Sequence, residues 1–260
     1  MTICKAEREI NKILNLNWHT DLHLFFPEAM KTIHSLKITN FKSIDSLEVK
    51  GLTPFSIFAG PNGSGKSNFF DALDFVSLFA RNGIDTALRA HGGFGNIHSE
   101  KRRARFSGRF DFEIRCDLPE ITQEQKEKTS DFHYFLSIHD LDVAPKIEER
   151  LHIGDEPIFR RKKGEGPNII KGKKDRKDMY VERFPPNYSA LLFFGVPFVK
   201  GTPLVELLRN LSLYRIDPIG AKEPNQSDRD PTKLDRKGHN LASVLSRMEG
   251  NPSTRETILE

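Results

Sequence analysis

Gly60-Pro61-Asn62-Gly63-Ser64-Gly65-Lys66-Ser67 fits the spacing GxxxxGK[ST] at every fixed position. The apolar run Phe55-Ser56-Ile57-Phe58-Ala59 comes just before it, and a helix-compatible run, Asn68 to Ala80, just after. A strand, a loop and a helix in that order are the context in which such a stretch is a phosphate-binding P-loop and not merely a glycine-rich turn. Gly63 and Gly65 let backbone N–H groups turn inward and approach phosphate oxygens with no Cβ in the way. The following helix aims its N-terminal N–H groups and the positive end of its dipole at the same anion. Lys66 is placed to reach β- and γ-phosphates as a point charge, and the Ser67 hydroxyl to ligate Mg²⁺.

Upstream of the loop, Met30 opens a patterned stretch in which Leu36 and Ile38 alternate with polar neighbours. It leads through Asn40-Phe41-Lys42-Ser43-Ile44 to a second alternation at Leu47 and Val49, and Gly51 turns the chain toward Pro54. Residues 1–29 show no convincing period. They read either as an upstream extension of the reading frame, with Met30 the true start, or as a short helical decoration. Downstream, the helix carries Phe69, Phe70, Leu73, Phe75, Val76, Leu78, Phe79 and Ala80, apolar around most of its circumference, so it is expected to be buried between a sheet and other elements. Asn82-Gly83 ends it, and a short second helix, Ile84 to Ala90, stops at Gly92-Gly93.

The next region changes period. Phe106, Gly108, Phe110, Phe112, Ile114 and Cys116 fall on one face of an expected strand over 105–116, with charged residues on the other. The pattern recurs at Phe132-Tyr134-Leu136-Ile138 and at Ile147-Glu149-Leu151-Ile153; Asp155-Glu156-Pro157 then turns into Ile158-Phe159-Arg160. A run of antiparallel strands after the P-loop helix argues against a simple alternating β/α kinase or GTPase architecture. Lys162 to Lys177 reads as an exposed loop, Tyr188 to Leu211 has helical apolar spacing, and Leu213-Tyr214-Arg215-Ile216 reads as a strand ended by Asp217-Pro218. Gly220 to Lys237 is a polar connection, after which Asn240 is expected to cap a helix with Leu241, Val244, Leu245 and Met248 on its apolar side.

Composition sets the bounds. A chain of 260 residues is one large domain or two small ones, and a net charge of +4 permits a nucleic-acid partner without requiring one. The longest nearly unbroken apolar run, Leu191 to Val199, contains Gly195 and Pro197 and is far short of the ~20 residues of a membrane span. Cys4 and Cys116 make no disulfide framework, and the charged N-terminus lacks a signal-peptide profile; a cytoplasmic protein is expected.

Leu36-Lys37-Ile38-Thr39-Asn40-Phe41-Lys42-Ser43, followed by Gly60 to Asn68, resembles the head domains of RecF/SMC-type ABC ATPases, and more closely the bacterial AAA-21 group of AAA family ATPases. Gly92-Gly93-Phe94-Gly95-Asn96-Ile97, Tyr214-Arg215-Ile216-Asp217-Pro218 and Gly238-His239-Asn240-Leu241-Ala242-Ser243-Val244-Leu245 are softer matches to the same group. The resemblance implies an α/β P-loop NTPase: an ABC-ATPase-like N-terminal lobe over 30–250 with an antiparallel β insertion at about 105–185, then a tail over 251–260. It implies binding of ATP and Mg²⁺ by Gly60, Pro61, Asn62, Gly63, Ser64, Gly65, Lys66, Ser67 and Asn68, with Ser67 on the metal and Asn62 near the γ-phosphate. Lys42 and Ser43 would lie near the nucleotide; the alternative for Lys42 is a solvated strand-end lysine. The implied setting is DNA repair, recombination or phage defence, with an ATP-dependent homodimer or a partner supplying a C-terminal half.

The sequence also departs from that family. An ABC head needs a signature loop and a Walker B strand, four apolar residues running into Asp-Glu, for Mg²⁺ and water activation. Neither is found: Phe106-Ser107-Gly108 reads as strand, and Leu213 to Asp217 ends in Asp-Pro. The expectation is a chain truncated before both motifs, with no catalytic residue assigned, and a non-hydrolysing nucleotide-binding fragment is the alternative reading. An ABC transporter nucleotide-binding domain fits less well, given the Asn-Phe-Lys-Ser entry and the β insertion. Two basic clusters, Lys101-Arg102-Arg103-Ala104-Arg105 and Lys171 to Lys177, are either solvated loops or salt-dependent DNA contacts. His19 and His23 lack the Glu of a zincin motif, and His133 and His139 share a strand face without a third ligand.

Overall fold

The computed structural model describes residues 32–52, 56–97, 108–121, 127–140, 144–169, 179–181, 184–191, 202–214 and 234–250. Eight strands form one sheet: β1 (Thr32–Phe41), β2 (Ile44–Leu52), β3 (Phe110–Ile121), β4 (Glu127–His139), β5 (Lys146–Ile153), β6 (Glu156–Arg161), β7 (Pro167–Ile169) and β8 (Met179–Tyr180). The order is β2-β1-β3-β4-β5-β6-β7-β8, and every pairing is antiparallel. Strand β1 pairs with β2 on one side and β3 on the other, with Leu36 opposite Val49 and Ile114. The strands after the P-loop helix therefore extend the sheet that β1 and β2 begin, and do not make a separate layer.

Alternation decides the faces. Phe110, Phe112, Ile114 and Cys116 of β3, and Phe132, Tyr134, Leu136 and Ile138 of β4, are all buried on one side, as their period-2 spacing demands. Against that side lie α1 (Lys66–Asn82), with α2 (Ile84–Ala90), α3 (Phe94–Ile97) and α4 (Thr202–Asn210). Phe41, Phe75 and Phe110 come from strand, helix and strand, with ring centroids 5.4–5.8 Å apart. Tilted and edge-on aromatic pairs at such distances stabilise beyond their area burial. Helix α1 ends at Gly83, whose φ of 83° and N–H to the Phe79 carbonyl close the last turn. A Cβ there would fall 2.7 Å from the Asn187 carbonyl oxygen, so only glycine fits.

Several expectations are corrected. Residues 56–60 are irregular, not a strand: Ile57 is 78% exposed, while Phe58 packs on Phe69 and Phe70. A short apolar segment becomes a strand by sharing a ladder, and among the described residues no strand runs beside this one. The expected strand over 105–116 begins at Phe110, because Gly108 is in a turn with φ 80°. Part of the expected loop over 162–177 is strand β7, paired with β6; 170–178 lie outside the described residues, as do 101–105 and Arg215-Ile216. Leu213 and Tyr214 follow α4 as irregular chain, with no strand paired to them among the described residues. Helix α5 (Leu241–Glu249) does begin after Asn240, but the Asn240 side chain accepts from the Asp235 N–H instead of capping, and no residue of α5 is buried.

One polar network lies within the core. Glu149 occupies an inward position of β5 and is 0% exposed. Tyr134 Oη, Ser189 Oγ and the Ala190 N–H donate to its carboxylate at 2.5–2.8 Å, and Arg161 Nη1 at 3.3 Å. Arg161 also donates to the carbonyls of Glu165, Tyr188 and Pro186, which ties residues 184–191 to the sheet. Asn187 carries the tie onward, accepting from the Ile84 N–H and donating to Asp85. Removing one member of a buried pair strands the other charge. Arg161→Met is therefore expected to cost about 3–5 kcal/mol in chemical denaturation, and Arg161→Met/Glu149→Leu less than the single variant; equal or greater loss in the double variant would show that the pair is not coupled.

Candidate nucleotide site

The loop 60–65 delivers the chain to α1 through Gly63 and Gly65, at φ 81° and 90°, a left-handed conformation natural to glycine. The helix ladder starts from the Gly65 carbonyl, which accepts from the Phe69 N–H at 3.0 Å. No side chain caps this end, and no acidic residue stands in the first turn. The N-terminal N–H groups of a helix lack intrahelical partners, and with the dipole they make a site for an anion.

Lys66 folds back over the loop. Its ammonium donates to the carbonyls of Gly60 and Pro61 at 2.7 and 2.8 Å and to Ser64 Oγ at 3.1 Å. Three donors meet three acceptors, so the loop is wrapped around the cation. Asn62, Gly63 and Ser67 are exposed.

The turn between β1 and β2 is brought against the start of α1. Ser43 Oγ accepts from Asn68 Nδ2 at 2.5 Å, and Lys42 Nζ donates to Asp71 Oδ2 at 2.5 Å. Lys42 holds φ 49°, and its backbone N–H donates to the Ile97 carbonyl, which closes the Gly92-to-Ile97 stretch onto the same turn. Lys42 and Ser43 are thus adjacent to the P-loop helix, and Lys42 is an ion-pair partner, not a solvated lysine at a strand end.

Sequence reasoning missed the acids of α1. Asp71 and Asp74 are 8% and 6% exposed, on a helix whose other buried residues, Ser77 apart, are apolar. Arg236 donates to both oxygens of Asp74, at 3.0 and 3.3 Å, and His91 Nε2 stands 3.4 Å from it. Burial alone pushes the Asp74 carboxyl up, but the His91 contact and the Arg236 charge outweigh it and hold the group below the ordinary carboxylate value. The available signal was two carboxylates three residues apart in an apolar helix.

The residues present fit a nucleotide phosphate: an uncapped helix end, glycine-rich backbone and Lys66. Ser67 Oγ is the hydroxyl that would contact Mg²⁺, with phosphate oxygens; among the described residues no group of three or more His, Cys, Asp or Glu side chains could hold a metal ion. His133 and His139 instead contact Glu113 at 2.6 Å and Ser137 at 3.0 Å. No helix among the described residues is long and apolar enough to cross a membrane.

Fold and loop together define a mixed α/β P-loop domain built on an antiparallel sheet. Residues 55–169 match the family described as "AAA domain, putative AbiEii toxin, Type IV TA system". Over 46 residues, 17% of this chain and 4% of the relative, identity is 52% to Structural maintenance of chromosomes protein 1 of Caenorhabditis elegans. Structural maintenance of chromosomes protein 4 of Schizosaccharomyces pombe is 38% identical over 104 residues, 39% of this chain and 7% of that protein. The chromosome partition protein Smc of Methanocaldococcus jannaschii is 45% identical over 47 residues, 18% and 4% of the two chains. The P-loop-bearing part of the chain is similar to the SMC/RecF-like ABC-type ATPase head, and the aligned parts span under a tenth of each relative's length.

The Asp74 pairing makes a pH prediction. A carboxylate held below its unfolded value contributes stability that is complete above that value and is lost as pH falls through the lower, folded one. Asp74→Asn should therefore flatten the decline of the denaturation midpoint below about pH 4; parallel acid limbs in the two proteins would remove Asp74 from the account.

Proposed function

We propose that this chain binds ATP with Mg²⁺ as part of a RecF/SMC-like ATPase head. The observation that carries the reading is the uncapped start of α1 behind a glycine loop that holds the Lys66 ammonium. Gly60 to Ser67 would cradle the phosphates, Asn62 would face the γ-phosphate, and Lys42, Ser43 and Asn68 would border the cradle. Bound Mg²⁺ would neutralise phosphate charge; the chain's own residues hold and orient the anion.

Hydrolysis needs a base and a metal acid, and no stretch of these 260 residues has four apolar residues running into Asp-Glu; the one Asp-Glu pair, Asp155-Glu156, follows Gly154 at the turn between β5 and β6. In this reading a C-terminal half supplies these groups and ATP bridges two such heads in a homodimer, within a lobe over 30–250 in a cytoplasmic protein of DNA repair, recombination or phage defence.

Titration of ATP in Mg²⁺ by calorimetry tests the binding claim. Lys66→Ala should weaken ATP by about a hundredfold, the value of a lost charge-assisted contact of ~2.7 kcal/mol; unchanged binding would overturn the assignment. Phosphate release by the chain alone is expected to be absent, and release abolished by Lys66→Ala would overturn the need for a completing half. For the DNA setting, reversing the charge of Lys173, Lys174 and Lys177 should lower retention on DNA at low salt; unchanged retention would leave that loop as solvation.

A further inference from the structure

We propose that the outer face of the sheet across β4–β8 is a docking surface for single-stranded DNA, with the Arg150 and Arg160 guanidiniums and the Phe135 and Tyr180 rings as its contacts. This rests on the DNA part of the reading above and is independent of the nucleotide site.

The register of the sheet puts these side chains in one row. Phe135 stands opposite Arg150, Arg150 opposite Arg160, Arg160 opposite Asn168, and Asn168 opposite Tyr180. Paired residues share a face. Their chain neighbours Leu136, Glu149, Leu151, Phe159 and Arg161 are buried, so the row looks away from the helices. Adjacent strands lie ~4.8 Å apart, and the row from β4 to β8 therefore runs for ~19 Å, the length of a few nucleotides.

Charge asks for an anion. Like charges directly opposite each other on neighbouring strands destabilise a sheet, and Arg150 and Arg160 are such a pair. Among the described residues neither guanidinium has an acceptor within hydrogen-bond distance. Arg150 Nε is buried without a partner and Nη2 stands 3.8 Å from Glu148 Oε1, while Arg160 is exposed. The other acids nearby are engaged elsewhere: Glu113 with His133 at 2.6 Å, Asp131 with Arg115 at 3.4 Å, and Asp140 with Lys146 and Lys163 at 3.2 and 3.3 Å. One long contact is set against two guanidiniums, and the row keeps a positive charge.

Flat surfaces select a single strand among anions. Arg150 Cζ lies over the Phe135 ring, 4.3 Å from its centroid, and the arginine side chain is still 42% exposed. Tyr180 is 50% exposed, and its Oη accepts from the Gly166 N–H at 3.3 Å, which tethers the ring at its tip. Between them the β5–β6 register slips, with Ile158 the extra residue of a bulge, and a hollow of about 310 Å³ opens beside Arg150, His152, Pro157, Phe159 and Arg160. Burial, with His133 and Arg150 close by, holds His152 below the ordinary histidine value, so at pH 7 it is a neutral group able to meet a base edge. Unstacked bases lie on aromatic rings and arginine planes while phosphates pair with cations; a duplex hides its base faces and cannot use such a row.

The test is fluorescence anisotropy of labelled oligothymidine with the full chain at fixed salt, beside the same length of duplex, oligouridine and polyglutamate. Oligothymidine should bind more tightly than the duplex. Phe135→Ala and Arg150→Lys/Arg160→Lys should each weaken it about tenfold, the second at unchanged charge because lysine does not stack as a guanidinium does. Thermal midpoints read in parallel show that the variants fold; if Phe135→Ala does not, the arginine pair decides alone. Wild-type affinity in the arginine variant overturns the proposal. So do a duplex bound as tightly as the single strand, displacement by polyglutamate, or a preference for oligouridine over oligothymidine. Wild type that binds no DNA removes the DNA setting as well, whereas DNA held equally by wild type and both variants removes the sheet face and leaves that setting standing.

Discussion

Two buried carboxylates on one helix organise the cradle's surroundings. Asp71 and Asp74 cannot remain inside a low-dielectric layer without cations, and α1 itself offers none at those turns. Lys42 comes from the β1–β2 turn and Arg236 from a residue 162 positions beyond Asp74 in sequence. Each pairing draws a distant segment to the helix that begins at the P-loop. The aromatic contact of Phe75 with Phe41 and Phe110 supplies the attraction between helix and sheet but little direction. The charges supply register, because an ion pair is satisfied at one position along the helix and at no other.

Much of this was legible in the sequence, and the limits have physical causes. The GxxxxGK[ST] stretch and the alternations at Phe110 to Cys116 and Phe132 to Ile138 report local geometry, because their period is set by backbone and burial alone. The P-loop helix was readable for the same reason. The segment before the loop was not: apolar composition states that Ser56 to Ala59 could pair, while pairing depends on a neighbouring strand, which is a non-local fact. Leu213-Tyr214 fails likewise. Glu149 was visible as an acid at an inward position of β5, but its partners, Tyr134, Arg161 and Ser189, lie 12 to 40 residues away. At Asn240 the local rule named the right boundary and the wrong hydrogen bond, since the side chain serves Asp235 in a turn of its own.

Two parts of the sheet are held by different means. Around β1, hydrophobic and aromatic packing joins sheet to helix, and ion pairs set the register. Around β5 and β6, the Glu149–Arg161 network binds the crossing segment 184–191, and that segment in turn reaches the α1–α2 junction through Asn187 and Gly83. Burial pushes the Tyr134 phenol well above its ordinary value, and the Glu149 charge adds to it, so the hydroxyl remains a donor across the ordinary pH range. The C-terminal boundary of the P-loop helix is thereby fixed from β5 and β6 through residues 184–191.

The N-terminal boundary is under the opposite constraint. A cradle for an anion must leave backbone N–H groups unsatisfied by side chains, and a capping Ser, Thr, Asp or Asn at position 65 would fill the place the phosphate takes. Gly65 gives the required backbone conformation and withholds a cap, and the loop's acceptors are satisfied from within by Lys66. Stability is therefore concentrated at the far end of α1 and along its acidic flank. In the proposed reading its first turn is the part a phosphate would complete, and this division would let one helix serve both as a core element and as half of a binding site.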